Sequence, residues 1–168
     1  AMYSMLLEER ELISRGDFSS IEYLSIGSAP CAPALIDEIS ERFGARVIQG
    51  YGLTEGGPVV FEQPPDDPSA PVESCGKLVP EVEVKFIDDT GQPHPTKGEL
   101  WVKNMGVTPG YYNLPKVNKK RIIDGWLATG DLFRMDREGY YYFLGRTDDL
   151  MISGGENVYP AEVEKILM

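Results

Sequence analysis

The chain has 168 residues, a length that suits one domain or two small ones. Its hydrophobic fraction is 42% and its charged fraction is 26%, which excludes a disordered tail, a collagen-like chain and a coiled coil. The formal net charge of −11 repels phosphate backbones, so nucleic acid is not an expected partner. No apolar run reaches the roughly 18–20 residues that cross a bilayer, so no transmembrane segment is expected.

Cysteine and histidine are scarce, which narrows the chemistry. Cys31 and Cys75 are too few for a disulfide scaffold, and without an export signal we expect both to be reduced in a cytoplasmic protein. The single histidine, His94, lies between two prolines in a predicted surface loop. A metal site built from histidines is therefore excluded by number.

The first half of the chain predicts a parallel βαβ unit. Residues 3–15 are expected to form an amphipathic helix, and residues 21–26 a short buried strand. A second helix is predicted over 33–43, with Pro33 in its first turn and Gly44 at its end, and a second strand follows. A strand, a helix and a strand at this spacing are typical of parallel pairing. The apolar side of the first helix is predicted to hold Met5, Leu6, Leu12 and Ile13.

The second half predicts antiparallel strands. A proline-rich stretch over 62–75 is typical of a loop or linker, and the clusters of β-forming residues beyond it predict an antiparallel sheet or small barrel over about 76–144. A further strand is expected at 150–152, and a helix opens at Pro160. Because that helix stops after two turns with an apolar face, we interpret the chain as a fragment. The predicted strands of the sheet are 82–87, 98–103 and 139–144.

A glycine-rich segment at 49–57 follows the second strand of the βαβ unit. Open α/β sheets place their ligands at this end of a parallel strand. The flat ring of Tyr51 could stack on a base, the hydroxyl of Thr54 could bind a phosphate oxygen, and the carboxylate of Glu55 could bind Mg²⁺. The alternative is a glycine-rich turn around a buried tyrosine.

Two further side chains have the chemistry of a nucleotide site. Asp131 can accept two hydrogen bonds at once, which suits a pair of ribose hydroxyls. The guanidinium of Arg146 could hold an anion or a ribose oxygen. Taken singly, each is explained as well by a surface salt bridge. A nearby basic cluster is either a solvated loop or a docking point for an anion or a partner; it consists of Lys116, Lys119, Lys120 and Arg121.

Six motifs follow one another along the chain. They are Tyr-Gly-Leu-Thr-Glu at 51–55, Gly-Glu-Leu-Trp-Val at 98–102, Gly-Tyr-Tyr-Asn at 110–113, Thr-Gly-Asp-Leu at 129–132, Gly-Arg-Thr-Asp-Asp at 145–149 and Ser-Gly-Gly-Glu-Asn-Val-Tyr-Pro-Ala-Glu-Val-Glu at 153–164. In this order they resemble the adenylate-forming superfamily, which holds acyl-CoA synthetases, luciferases and the adenylation domains of peptide synthetases. The resemblance extends from near Ile21 to the last residue.

The resemblance implies an α/β fold class. Part of a doubly wound parallel sheet would be followed by an antiparallel β-barrel-like subdomain and by the start of a small C-terminal lid domain. A sheet edge left bare in such a fragment predicts self-association, for example by exchange of the terminal helix. The expected divisions are 1–70 for the end of the nucleotide-binding subdomain, 71–147 for the β subdomain and 148–168 for the hinge and lid.

The resemblance also implies how ATP or AMP binds. The ring of Tyr51 would stack on one face of the adenine, and Asp131 would bind the ribose hydroxyls with help from Arg146. The other face of the adenine would be covered by Gly27, Ser28, Ala29 and Pro30, and the remaining cofactor-binding positions of this segment would be Gly50 and Gly52.

Catalytic roles are implied for two residues. Thr54 would contact the α-phosphate, and Glu55 would help to hold Mg²⁺. Asp148 matches the hinge about which the lid domain swings. The loop that would line the path of coenzyme A holds Gly154, Gly155 and Glu156.

The implied reaction has two steps. A carboxylic acid attacks the α-phosphorus of ATP to give an acyl-adenylate and pyrophosphate, and a thiol then displaces AMP. The sequence of the motif at 153–164 is closer to acyl-CoA synthetases than to peptide synthetases, which favours coenzyme A as the thiol. Small residues at 56–59 would border the acid, and both a fatty acid, as in fatty acid metabolism, and an aromatic acid remain open.

Two motifs of the superfamily are missing from the chain. These are the phosphate loop rich in serine, threonine and glycine, and the catalytic lysine of the lid domain, so we expect that this chain alone does not turn over. One alternative is therefore a non-catalytic module or remnant that binds an adenine nucleotide. Another is a luciferase-like oxygenase that shares the adenylation step.

Overall fold

The structure, a computed structural model, describes residues 2–28, 31–149, 151–153 and 156–158, the last two stretches by backbone alone. Within these residues, no helix is both long enough and apolar enough to pass through a bilayer. The predictions that lie outside the described residues are the helix from Pro160 and the site residues Ala29, Pro30, Gly154 and Gly155.

Two short helices, α1 (Met2–Glu8) and α2 (Arg10–Arg15), replace the single helix predicted over 3–15. They are separated at Glu9, whose ψ of 54° is not helical. The predicted apolar side was wrong in part, because the break directs different side chains toward the core. Those that pack are Tyr3, Leu7 and Ile13, whereas Met5, Leu6 and Leu12 are exposed.

The predicted parallel βαβ unit is confirmed. It consists of β1 (Tyr23–Ile26), α3 (Pro33–Phe43) and β2 (Arg46–Leu53), and β1 pairs with β2 in parallel. Pro33 opens the helix, and Gly44 ends it with a left-handed φ of 64°. The prediction that the first strand is buried was wrong, because β1 is the outer strand of its sheet and alternate side chains are exposed.

Two strands without a predicted counterpart extend this unit into a mixed sheet. They are β3 (Gly57–Glu62) and β4 (Lys77–Leu78), and the sheet order is β1-β2-β3-β4 with antiparallel pairing from β2 onward. The loop predicted over 62–75 is confirmed for the residues between β3 and β4. Its backbone is held by the buried Gln63, whose amide donates to the carbonyl oxygen of Ser74 at 2.9 Å.

A second sheet is antiparallel throughout, as predicted, and with the mixed sheet it confirms the α/β fold class. Its strands are β5 (Glu83–Ile87), β6 (Pro93–His94), β7 (Lys97–Lys103), β8 (Ile122–Ile123), β9 (Trp126–Met135) and β10 (Tyr141–Arg146). Their order is β10-β9-β7-β5-β6, and β8 pairs with the N-terminal end of β9.

Strand β9 lies inside this sheet but was absent from the predicted strands. Glycine and aspartate are both poor strand formers, and Gly130 has a φ of 78°. Gly130 and Asp131 therefore interrupt the pattern of β-forming residues in a strand that has ten residues. The last strand begins at Tyr141 rather than at 139, because Gly139 has a φ of 82° and belongs to the turn. The basic cluster lies along helix α4 (Pro115–Arg121), where a loop was one of the two expectations.

The described part of the chain ends in a small hairpin. A 3-10 turn over Thr147–Asp149 follows β10, and β11 (Met151–Ser153) pairs antiparallel with β12 (Glu156–Val158). The first of these strands confirms the strand predicted at 150–152, one residue further along the chain.

One aromatic side chain joins the two larger sheets. Phe61 of β3 stacks on Tyr141 of β10 with ring centroids 4.0 Å apart, and its centroid lies 5.4 Å from that of Phe133 in β9. Tyr51 of β2 meets the ring of Phe133 edge-on at 4.7 Å. The end of β2 is therefore held against β9. Further buried members of this core are Val60, Phe86, Leu100 and Val102.

We expect Gly52→Ala to lower the free energy of unfolding by about 3 kcal/mol, as in severely overpacked sites. A Cβ at Gly52 would lie 1.9 Å from the carbonyl oxygen of Pro58, which belongs to the backbone of β3 and cannot rotate away. Gly44→Ala is the control, because its φ is strained but the space around it is open; it should cost about 1–2 kcal/mol. Urea unfolding measures both values, and equal losses would contradict the steric argument.

Candidate active site

Three side chains from three strands meet at the junction of the two sheets. The hydroxyl of Tyr51 in β2 donates to Oδ2 of Asp131 in β9 at 2.5 Å. Nη1 of Arg146, at the end of β10, lies 3.0 Å from Oδ1 of the same carboxylate. The structure thus brings together the stacking, ribose-binding and assisting residues that were predicted from separate motifs.

Asp131 is buried but retains capacity for a ligand. Its side chain is 8% exposed, whereas that of Arg146 is 48% exposed. An ionised carboxylate can accept about four hydrogen bonds, and each oxygen of Asp131 accepts one from the protein. A vicinal diol could therefore still bind both oxygens.

Burial governs the protonation of this group. It raises the pKa of Asp131 above its usual value, although the hydrogen bond from Tyr51 and the charge of Arg146 both lower it. The pKa of Tyr51 is raised in turn, first by burial and then by the negative charge of Asp131. The tyrosine hydroxyl consequently stays protonated and remains the donor.

Hydrogen bonds between side chains and backbone hold the two residues that precede Asp131. The amide of Gly130 donates to Oε1 of Glu99 at 3.0 Å, and the hydroxyl of Thr129 donates to the carbonyl oxygen of Leu100 at 2.7 Å. The hydroxyl of Thr147 donates to the carbonyl oxygen of Gly130 at 3.1 Å. The Thr-Gly-Asp segment is thus presented by a rigid support, as a preorganised site requires.

The predicted catalytic residues lie in the turn between β2 and β3. Thr54 is exposed, and Glu55 is half-buried. Oε1 of Glu55 accepts a hydrogen bond of 3.1 Å from the hydroxyl of Tyr111, and its carbonyl oxygen accepts one of 2.7 Å from the amide of Thr108. The carboxylate therefore has a fixed orientation.

The chemistry of Glu55 fits a hard cation that is shared with a substrate. Among the described residues, no group of three or more histidine, cysteine, aspartate or glutamate side chains is arranged to hold a metal ion. Mg²⁺ is commonly bound by one or two carboxylates together with phosphate oxygens and water. Glu55 could supply one such ligand, and the others would come from a phosphate chain.

The loop after β1 approaches the strand that carries Tyr51. A Cβ at Gly27 would lie 3.3 Å from the carbonyl oxygen of Gly50, so the two backbones run close together. Ser28 has a φ of 72°, a left-handed conformation that is costly for a residue with a side chain. Predicted adenine-binding positions from two separate segments are therefore neighbours, and strain of this kind is frequent at ligand sites.

The predicted hinge residue, Asp148, follows Arg146 by two positions in the chain. Asp148 is 74% exposed in the turn that follows Arg146, and Glu156 lies in β12, where only the backbone is described. Two supporting side chains, Glu99 and Tyr111, were not predicted as site residues. The available signal was their position within two of the six motifs.

Comparison with known proteins gives consistent relatives. The family described as AMP-binding enzyme matches residues 1–112, which is two thirds of the chain. The 2-succinylbenzoate–CoA ligase of Bacillus subtilis is 38% identical in an alignment of 168 positions, which covers 99% of this chain and 34% of that protein. The corresponding ligase of Listeria innocua is 34% identical over the same shares. The chain spans about a third of the length of the curated relatives it matches.

Solved structures agree with these relatives. The O-succinylbenzoate coenzyme A synthetase of Bacillus subtilis, in complex with its acyl-adenylate intermediate, aligns over 99% of this chain and 34% of its own with a TM-score of 0.84 and 39% identity. An anthranilate CoA ligase in complex with anthranoyl-AMP aligns over 92% of this chain and 30% of its own. Its TM-score is 0.82 and its sequence identity is 32%. An amide bond synthetase of Marinactinospora thermotolerans aligns over 95% of this chain and 33% of its own. Its TM-score is 0.83 and its sequence identity is 33%. The chain belongs to the AMP-binding enzyme family.

Proposed function

We propose that the protein is an ATP-dependent acid–CoA ligase, which activates a carboxylic acid as an acyl-adenylate and transfers the acyl group to coenzyme A. The observation that carries this proposal is the buried carboxylate of Asp131, which is bonded by Tyr51 and Arg146 and still has hydrogen-bond capacity for a diol. Family membership and the CoA ligases among the relatives support the same reaction.

The nucleotide would bind where β1, β2 and β9 converge. The ring of Tyr51 is fixed by Phe61 at 5.8 Å and Phe133 at 4.7 Å, so it offers a preorganised surface for stacking adenine. The loop that begins at Gly27 would cover the other face of the base. Asp131 would accept the two ribose hydroxyls, and Arg146 would assist it.

The phosphates would lie over the turn between β2 and β3. The exposed hydroxyl of Thr54 would donate to an α-phosphate oxygen, and the oriented carboxylate of Glu55 would be a ligand of Mg²⁺. A Mg²⁺ ion held by Glu55 and the phosphates would supply positive charge that offsets the charge of the phosphate oxygens. These residues act by positioning and electrostatics, because the acid itself is the nucleophile.

An aromatic acid is the proposed substrate class. The named relatives are ligases of 2-succinylbenzoate and anthranilate, both of which are aromatic carboxylates. This favours an aromatic ring over an alkyl chain in the space beside Gly56 and Gly57. The amide bond synthetase among the similar structures supports a second candidate, in which an amine replaces the thiol as acceptor.

The activity test uses protein expressed from its complete reading frame. We expect ATP–pyrophosphate exchange with aromatic acids, followed by thioester formation when coenzyme A is added. Glu55→Gln should slow exchange about a hundredfold, because a ligand of Mg²⁺ is lost. Asp66→Asn, at an exposed position outside the site, is the control and should leave the rate unchanged.

Three results would separate the candidates. Amide formation with an amine but no thioester would favour the second function, and oxidation of the adenylate would identify an oxygenase. Nucleotide binding without exchange by the complete protein would favour the non-catalytic module.

Three further expectations stay predictions. They are that this chain alone does not turn over, that it self-associates and that the protein is cytoplasmic.

Asp131→Asn should weaken nucleotide binding and yet not destabilise the protein at neutral pH. We expect the dissociation constant of ATP to rise about ten- to a hundredfold, because hydrogen bonds to a charged acceptor are lost. Burial raises the pKa of Asp131 above 3.8, so ionisation reduces stability as the pH rises through the raised pKa. Calorimetry measures binding, and thermal unfolding between pH 4 and 8 measures stability.

The pH dependence gives this prediction a clear sign. The stability of the variant relative to the parent should be greatest at neutral pH and should decrease as the pH falls toward 3.8, where the parent carboxyl becomes protonated. A variant that is equally destabilised at every pH would contradict the argument that burial of the charge lowers stability.

A further inference from the structure

Arg121, the last residue of α4, bridges three parts of the chain. Its Nη1 lies 3.7 Å from Oε1 of Glu99 in β7 and donates to the carbonyl oxygen of Ala128 in β9 at 3.3 Å. Its Nη2 lies 3.6 Å from Oδ2 of Asp148, the predicted hinge residue. A single guanidinium thus joins the second sheet to the turn that follows it.

The inner contacts of Arg121 are sheltered and belong to a larger network. The side chains of Arg121 and Glu99 are 27% and 23% exposed. Glu99 also accepts the backbone amide of Gly130 at 3.0 Å and the indole N–H of Trp101 at 3.0 Å. A Cβ at Gly130 would lie 2.5 Å from Nη1 of Arg121, so the guanidinium packs directly on the segment that presents Asp131.

The outer contact is weak by comparison. Asp148 is 74% exposed, and its charge is largely screened by water. An exposed ion pair of this kind shifts an equilibrium by about two- to fivefold. The guanidinium would therefore stay with Glu99 and Ala128 when Asp148 turns away.

We propose that Arg121 is a positioning residue that holds the hinge carboxylate of Asp148 against the Glu99–Gly130 support, in the manner of a releasable latch. The latch links the segment that presents Asp131 to the hinge. If the proposed ligase function holds, on which this consequence rests, Arg121 favours one setting of the hinge and so alters the balance between adenylation and thioester formation.

Arg121 differs in this respect from the rest of the basic cluster. Lys116, Lys119 and Lys120 are exposed on α4, whereas the guanidinium of Arg121 points into the network. Lys119→Ala therefore removes a positive charge from the same helix without touching the latch, and it is the matched control.

The first experiment does not depend on catalysis. Hydrogen exchange is measured by mass spectrometry on a peptide that covers Thr147–Asp149, in the protein from its complete reading frame. We expect Arg121→Ala to raise its exchange rate about two- to fivefold, the range of an exposed ion pair, and Lys119→Ala to leave it unchanged. Equal exchange rates in Arg121→Ala and the parent would overturn the latch.

A second variant guards against general damage, because Arg121→Ala leaves Glu99 without its cation. Asp148→Asn removes only the outer contact and should raise exchange to the same extent. The double variant should exchange no faster than either single variant, since residues in direct contact are not additive. Independent effects that add in the double variant would overturn the proposal.

The second experiment measures the ratio of pyrophosphate exchange to thioester formation. Arg121→Ala and Asp148→Asn should change this ratio by about two- to fivefold in the same direction. Asp148→Asn leaves the contact of Arg121 with Glu99 intact, so in this variant the dissociation constant of ATP should stay constant. Arg121→Lys keeps the charge and should restore part of the ratio. An unchanged ratio in an active protein would overturn the functional consequence. If the parent catalyses neither step, the ligase proposal fails and hydrogen exchange alone decides the latch.

Discussion

The contact of Phe61 with the second sheet is the constraint on which the rest of the structure depends. Phe61 is fully buried between Tyr141 and Phe133, so β3 and its partner β2 cannot move away from β9 and β10. Tyr51 and Asp131 are 80 residues apart in the chain, and this packing brings their side chains into hydrogen-bond contact. A nonspecific apolar contact thus determines the geometry of a polar site.

Burial of Asp131 opposes stability and favours function. Removing a carboxylate from water has a cost, which the raised pKa of Asp131 records, and the partners Tyr51 and Arg146 offset it in part. The carboxylate nevertheless stays a hydrogen-bond acceptor in a buried position, where hydrogen bonds to a ligand would be stronger than in water. Such a trade between stability and affinity is common at binding sites.

The candidate site has firmly held residues and one weakly held residue. The Thr-Gly-Asp segment is held by Glu99 and Leu100, and Glu55 by Tyr111, so these groups keep their geometry before a ligand arrives. Asp148 is instead exposed, and its carboxylate lies 3.6 Å from Nη2 of Arg121. Strong support beneath the proposed nucleotide site and weak attachment of the predicted hinge residue would suit the proposed two-step ligase reaction.

The sequence by itself determined the features that depend on neighbouring residues. Pro33 has a restricted φ and Gly44 tolerates a left-handed φ, so both mark the ends of α3. The six ordered motifs indicated the family and the candidate residues Tyr51, Asp131 and Arg146, whose side chains the structure places in contact. Tertiary structure decided the face on which α1 packs, the strand concealed around Gly130, and the contacts of Arg121. These depend on residues far apart in the chain, and no local propensity encodes which distant side chain an element will meet.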